Sequence, residues 1–232
     1  MDFLNKIYNE DCIETMKRIP DGSVDLMLTD PPYNTTACEW EYAIDFNKLW
    51  NEWLRIVKPN GAFIFTASQP FTTDLINSNR KIFKYELIWE KPNPSNPLLA
   101  NKQPLKNHEN IIVFYREMPV YNPQKTMRLQ ENKRTQKIRE KGVFKTTGQK
   151  RIIPNADGEY KMPMSVLFFN REQSGYHPTQ KPVDLMRYLI NTYTNKNDTV
   201  FDGFMGSGTT AIASIIEDRN FIGAELKAEY FE

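Results

Sequence analysis

Residues 24–29 (Val-Asp-Leu-Met-Leu-Thr) form a short apolar run, and two prolines stand one residue beyond it. Such a run predicts a strand buried on both faces, as in a parallel sheet. Pro31 and Pro32 neither continue a strand nor open a helix here, and each restricts the residue before it. The chain is therefore held extended just past a strand's carboxyl end, where open α/β sheets place their ligands. From that corner project the Asp30 carboxylate, the Pro31 carbonyl and the Tyr33 ring. An ordinary Asp-Pro turn would read the same over four residues alone.

The rest of the chain supplies a matching scaffold. Strands are predicted at residues 6–9, 62–66, 85–89, 111–115, 199–201 and 220–224, and helices at 11–19, 72–78, 182–193 and 209–217. Phe46, Leu49, Trp50, Trp53, Leu54 and Val57 recur at helical spacing, so the tryptophans are core residues, and Pro59-Asn60-Gly61 stops that helix. Residues 34–40 continue as a polar, aromatic loop. Residues 91–110, rich in Pro, Asn and Lys, read as a loop too long to be idle, covering a site or meeting a partner. The alternation breaks down over residues 116–170, which read as an insert. Residues 1–115 and 171–232 then form one doubly wound α/β domain.

Charge marks the insert. The whole chain carries +1, yet residues 125–151 hold ten basic residues (Lys125, Arg128, Lys133, Arg134, Lys137, Arg139, Lys141, Lys145, Lys150, Arg151) against Glu131 and Glu140. That one-sided block is the footprint of a nucleic-acid partner. No apolar run approaches the ~20 residues of a membrane span, and the first residues lack the pattern of a signal peptide. Cys12 and Cys38, without a CxxC and with only two histidines, argue against a disulfide framework or a zinc site. A reducing cytoplasm fits best.

A second informative stretch is Phe201-Asp202-Gly203-Phe204-Met205-Gly206-Ser207-Gly208-Thr209-Thr210. A strand runs into a glycine-rich turn and then opens a helix, whose free N–H groups suit a ligand's negative end. Thr209 stands where a phosphate-binding P-loop needs lysine. The glycine spacing also departs from the dinucleotide fingerprint. Glu225 ends the next strand, well placed for ribose hydroxyls, so the loop reads as holding a nucleoside-containing cofactor.

Together these residues resemble the beta class of amino-methylating DNA methyltransferases. Asp30-Pro31-Pro32-Tyr33 matches the family's catalytic tetrapeptide. Residues 202–209 are similar to its S-adenosylmethionine loop, with Gly203 where proline is more usual, and His177-Pro178-Thr179-Gln180-Lys181-Pro182 resembles the stretch that precedes it. The resemblance covers nearly the whole chain outside the insert. It implies a Rossmann-like, circularly permuted fold with a mixed, mostly parallel sheet, and an inserted target-recognition region at 116–170. It implies Asp30, Pro31, Pro32 and Tyr33 as the catalytic set. Asp202, Gly203, Phe204, Gly206, Ser207, Gly208, Thr209 and Glu225 would hold the donor. Asp11 is either a contact to the donor's adenine or a helix N-cap, and Lys181 either reaches the donor's carboxylate or is a surface charge. Lys125, Arg128, Lys133, Arg134, Lys137, Arg139, Lys150 and Arg151 would track duplex DNA. His177 reads as structural. The chain ends at Tyr230-Phe231-Glu232, where the family pattern implies a further helix. A homodimer is a further implication.

The chemistry agrees with the resemblance. An exocyclic base amine is a poor nucleophile because its lone pair is delocalised into the ring. A carboxylate and a backbone carbonyl that accept both its N–H bonds turn that lone pair toward a methyl donor, and a flipped base stacks on Tyr33. A cytosine ring-carbon enzyme would need an attacking cysteine, usually after a proline; Cys12 follows Asp11 and Cys38 follows Ala37. Within the family Asp at the first motif position is commoner in adenine-N6 enzymes, and Ser in those acting on cytosine N4. RNA or protein amine methyltransferases share the tetrapeptide but usually place the cofactor loop before it. An inactive DNA-binding module is the remaining alternative, opposed by the intact Asp30, Tyr33 and Asp202.

Overall fold

A computed structural model describes residues 3–33, 45–95, 97–127, 159–171 and 180–231. The elements run β1 (Lys6–Tyr8), α1 (Cys12–Lys17), β2 (Val24–Thr29), α2 (Phe46–Ile56), β3 (Val57–Ala67), α3 (Phe71–Ser78), β4 (Phe83–Ser95) and β5 (Lys106–Tyr115). They continue with β6 (Thr126–Met127), β7 (Tyr160–Lys161), β8 (Val166–Phe168), α4 (Val183–Tyr193), β9 (Thr199–Asp202), α5 (Thr209–Ile216), β10 (Asn220–Ala224) and α6 (Ala228–Phe231). The chain divides into two units, Met1–Asn122 with Ser165–Glu232, and Pro123–Met164. In the second, β6 pairs antiparallel with β7.

The first unit is built on an eight-stranded sheet of order β1-β10-β9-β2-β3-β5-β4-β8. β1, β10, β9, β2 and β3 pair in parallel, β5 is antiparallel to both β3 and β4, and β8 returns parallel to β4. The sheet is thus mixed and mostly parallel. From β2 the order grows to β3 on one side, whereas β9 leads to β10 on the other. Adjacent connections that diverge in this way leave a crevice at the carboxyl ends of the two strands. Asp30 follows β2 directly and Asp202 ends β9, so the two motif stretches meet there.

Side-chain alternation along the central strands divides the core between two faces. Met27, Phe63, Phe65 and Phe114 pack with Met16, Trp50, Trp53 and Ile56, from α1 and α2. Leu26, Leu28, Ile64 and Val113 pack with Leu185, Leu189 and Ile190 of α4. Trp50 meets Trp53 edge-on, with ring centroids 5.1 Å apart, and Trp53 is 1% exposed. These tryptophans are core residues, as their spacing indicated.

Three expectations change. The insert expected at 116–170 is narrower, because β8 (Val166–Phe168) joins the main sheet beside β4 and the second unit spans only Pro123–Met164. Helix α2 ends at Ile56, and Val57, whose spacing matched the helix, instead begins β3. Pro59, Asn60 and Gly61 lie in a register shift, where Val24 pairs with Val57 but Leu26 with Ala62. A Cβ on Gly61 would lie 2.8 Å from the Asp25 carbonyl oxygen, so only glycine fits that close approach. Half of the predicted loop over residues 91–110 is strand: β4 reaches Ser95 and β5 starts at Lys106, leaving a connection with a 3₁₀ turn at Pro97–Leu99. The prolines hid it, because they fall in a second register shift between Glu90 and Ser95, where no ladder hydrogen bond is required of them. Truncating Trp53 to alanine should lower the unfolding free energy by about 3–5 kcal/mol in a denaturant titration, the cost of a large cavity in a close-packed core.

Candidate active site

The carboxylate of Asp30 is fixed from three directions. Tyr33 donates its hydroxyl to Oδ1 at 2.5 Å, and the Thr66 hydroxyl, from β3, donates to the same oxygen. Lys181 Nζ donates to Oδ2 at 2.5 Å. Lys181 is buried at 7% exposure, while Asp30 keeps 24% of its side chain open to solvent. The Tyr33 ring stacks on Phe71, with centroids 5.3 Å apart at 29°, and the Lys181 ammonium lies 5.6 Å from its centroid. Burial, with the charges of Asp30 and Glu109, drives the Tyr33 phenol well above its ordinary value, so the hydroxyl stays a donor.

Behind Asp30 lies a row of alternating charge. Lys181 Nζ is 3.5 Å from Glu109 Oε2, and Lys91 Nζ is 2.8 Å from Glu109 Oε1 and 3.2 Å from Ser95 Oγ. Burial alone would depress the Lys181 ammonium, but Asp30 and Glu109 raise it above its usual value. Burial would likewise raise the Glu109 carboxyl, yet Lys181 and Lys91 hold it below the usual range. Each ion keeps its charge because its neighbours have the opposite one.

The glycine loop forms the other half of the crevice. Asp202 is buried and accepts hydrogen bonds from Thr29 Oγ1 at 2.6 Å and from the Phe204 N–H at 3.0 Å. Gly203 lies against α1: a Cβ there would meet Cys12 Cβ at 3.2 Å. Gly206 and Gly208 have φ of +52° and +76°, and above both the space is open. Such angles favour glycine, and Gly208 is also the N-cap of α5. Glu225 pins the loop, its Oε2 accepting from the Gly206 N–H at 2.7 Å and its Oε1 from the Lys227 N–H at 2.8 Å. Ser207 and Thr209 hydroxyls lie 3.2 Å apart. A cavity of about 210 Å³ is lined by Ile7, Gly206, Ser207, Gly208, Glu225, Tyr230 and Phe231.

Of the other residues singled out in the sequence, Asp11 caps α1, its Oδ1 accepting from the Ile13 N–H at 2.8 Å. Lys181 binds the Asp30 carboxylate and does not line the glycine-loop cavity. Lys125 is exposed; Arg128, Lys133, Arg134, Lys137, Arg139, Lys150, Arg151 and His177 lie outside the described residues. Sequence reasoning missed Thr29, Thr66, Phe71, Lys91 and Glu109. One signal was available: Glu109 is the sole acidic residue in the Pro-, Asn- and Lys-rich residues 91–110.

Burial pushes the Asp202 carboxyl up to about 6, against the pull of Thr210, Thr29 and the Phe204 N–H. A carboxyl raised on folding favours the folded state while protonated, and that advantage is lost as pH rises from about 4 to about 6. Asp202→Asn removes this titration. The stability of the variant relative to the parent protein should therefore climb between pH 4 and 6, by up to about 3 kcal/mol. Chemical unfolding at several pH values measures it, and a difference flat with pH would contradict a buried, raised carboxyl.

Comparisons with known proteins agree on one family. The family model described as DNA methylase (N6_N4_Mtase) matches residues 24–232. The type II methyltransferase M.BglII of Bacillus subtilis is 31% identical over 253 residues, which span 99% of this chain and 67% of that protein. The DNA adenine methyltransferase YhdJ of Escherichia coli is 30% identical over 252 residues, covering 97% of this chain and 80% of that one. Among solved structures, a complex of M1.HpyAVI with SAM superimposes with a TM-score of 0.64 at 27% identity, over 97% of this chain and 96% of that chain. PvuII DNA methyltransferase (cytosine-N4-specific) shares the fold at 19% identity, with a TM-score of 0.67 over 97% and 83% of the two chains. With the tetrapeptide Asp30–Tyr33 and the glycine loop at one crevice, this chain belongs to the N6/N4 amino DNA methyltransferase family.

Proposed function

We propose that this protein transfers a methyl group from S-adenosylmethionine to the exocyclic N6 amine of an adenine flipped out of duplex DNA. The observation that carries the reading is the immobilised Asp30 carboxylate, which faces the crevice opposite the glycine loop. Oδ1 already accepts two donors, so the amine is received at the free lone pair of Oδ2. The Pro31 carbonyl, fixed by the following proline, takes the second N–H. With both N–H bonds held, the amine's lone pair turns out of conjugation and toward the donor. Phe71 backs one face of Tyr33, and the base would stack on the other.

The residues of the second motif suit a nucleoside donor. The open space over Gly206 and Gly208 lets a ligand lie against bare backbone, with Ser207, Thr209 and the start of α5 beside it. Glu225 retains lone pairs for ribose hydroxyls after bracing the loop, and Asp11 retains one oxygen for the adenine edge. Gly203 and Phe204 shape the turn between them. When bound, S-adenosylmethionine supplies the methyl group already activated as a sulfonium. Adenine is favoured over cytosine by Asp at position 30 and by the adenine enzyme YhdJ among the relatives. The motif order, with the catalytic tetrapeptide before the cofactor loop, corresponds to a circular permutation of the methyltransferase fold. Within the expected insert at 116–170, residues 123–164 are assigned to target recognition, with Lys125, Arg128, Lys133, Arg134, Lys137, Arg139, Lys150 and Arg151 on the phosphate backbone.

The deciding experiment is transfer of labelled methyl groups to a random DNA library, followed by mapping of the modified base; label on cytosine N4 would overturn the adenine assignment. Asp30→Ala should abolish transfer and leave donor affinity within a few-fold by calorimetry. Tyr33→Phe keeps the ring but loses its charge-assisted bond to Asp30, so transfer should fall about tenfold. Tyr33→Ala also loses the stacking surface, worth roughly 1–3 kcal/mol, and should fall about ten- to a hundredfold further.

The insert has its own test. Replacing Lys133, Arg134 and Lys137 with alanine should weaken binding to every duplex and flatten the slope of log affinity against log salt by about one unit per lost phosphate contact. Donor affinity should not move. An unaltered slope would take these residues off the backbone.

A further inference from the structure

We infer that Glu109 is a positioning residue that draws the Lys181 ammonium away from Asp30 when the target amine arrives. The inference rests on the methyl-transfer reading above. Asp30 offers the amine only one free lone pair, on the same Oδ2 that Lys181 occupies at 2.5 Å. An amine N–H brought there meets an ammonium of like polarity on the same oxygen. The free lone pair can receive the amine with Lys181 in place, but withdrawal of the ammonium leaves more of the Oδ2 charge to the amine.

The place it would go already exists. Glu109 Oε2 is buried and makes no hydrogen bond among the described residues, although it lies only 3.5 Å from Lys181 Nζ. A buried carboxylate oxygen without a donor is a costly exception that calls for a reason. A displacement of about 0.7 Å would bring the ammonium to the usual ~2.8 Å of a charge-assisted bond. Glu109 itself is anchored on the far side, where Lys91 holds Oε1 at 2.8 Å and is only 5% exposed. The acceptor is thus fixed in place facing the lysine. The shift leaves the number of buried charges unchanged and exchanges one carboxylate partner for another. Lys181 remains charged at either end, as its raised pKa requires. Its residual contact to the Tyr33 ring keeps it near the base throughout.

The test uses full-length Glu109→Gln, which keeps shape and removes charge. Its single-turnover rate with donor and duplex should fall about ten- to a hundredfold, the loss of one charged hydrogen bond. Duplex and donor affinities should stay within about twofold of the parent. In the Glu109→Gln/Lys181→Met double variant the competing ammonium is gone, so the rate should recover above that of Glu109→Gln alone. A residue that only supports the fold would give the opposite result, with the second substitution adding damage. Wild-type rate in Glu109→Gln, or a double variant no faster than the single, would overturn the inference. As a buried ion pair is disturbed, the parent enzyme is also read directly by ¹⁵N labelling of lysine side chains. The Lys181 Nζ resonance, assigned by its loss in Lys181→Arg, should move with a duplex that is methylated and stay fixed with its abasic counterpart. Identical spectra with both would equally overturn it. Failure of the parent enzyme to methylate any DNA would instead remove the functional reading itself.

Discussion

At the crevice between β2 and β9, one hydrogen bond joins the two halves of the site: Thr29 Oγ1 donates to Asp202 Oδ1 at 2.6 Å. Thr29 immediately precedes Asp30 in the chain, and Asp202 immediately precedes the glycine loop. The strands that carry them are paired through Leu26–Val200 and Met27–Phe201, in the best-packed part of the sheet. A displacement of either strand end is thereby felt at the other. Burying the Asp202 carboxyl is unfavourable, as its raised pKa records, and its hydrogen bonds offset part of that cost. The sheet sustains this strain where a rigid spacing between two motifs is useful.

The charges behind Asp30 solve a related problem. The buried ends of long charged side chains are unfavourable unless each meets an opposite charge. Lys181 pairs with Asp30, Glu109 helps keep Lys181 charged, and Lys91 does the same for Glu109. Such a row is all or nothing: removing one member leaves a neighbour buried and uncompensated, at a cost of about 3–5 kcal/mol. Lys91 is the last buried residue of β4, and its charge is met there by Glu109 of β5.

This is also the boundary of what the sequence reveals. The strands at β2, β9 and β10 and the tryptophan face of α2 are legible because burial imposes a period on apolar residues. The tetrapeptide and the glycine loop are legible because proline and glycine have few other reasons to occur in such spacing. Lys91 and Glu109 leave no comparable trace: each looks like a loop charge until the fold brings it beside its partner, 18 positions away in the sequence. Lys181 shows the same effect, since its proximity to Asp30 spans 151 positions. Thr29 and Thr66 are hidden for another reason. A threonine in a strand needs no explanation beyond its β-propensity, so its hydroxyl's task goes unseen.

The geometry further separates reacting from reading. Most groups assigned to the amine or the donor sit at the carboxyl end of a strand or in the turn after it, and the carboxylates among them are held by hydrogen bonds. Asp30 has Tyr33, Thr66 and Lys181; Glu225 has two backbone N–H groups; Asp202 has Thr29. Nothing in that set discriminates one flanking base pair from another, because sequence is read at base edges in the grooves and an extruded base has left the groove. Selection of the target must therefore be carried by residues outside the crevice. Within the crevice, discrimination between one amine and another would fall to the space beside Tyr33 and Phe71, whose stacked rings are fixed 5.3 Å apart.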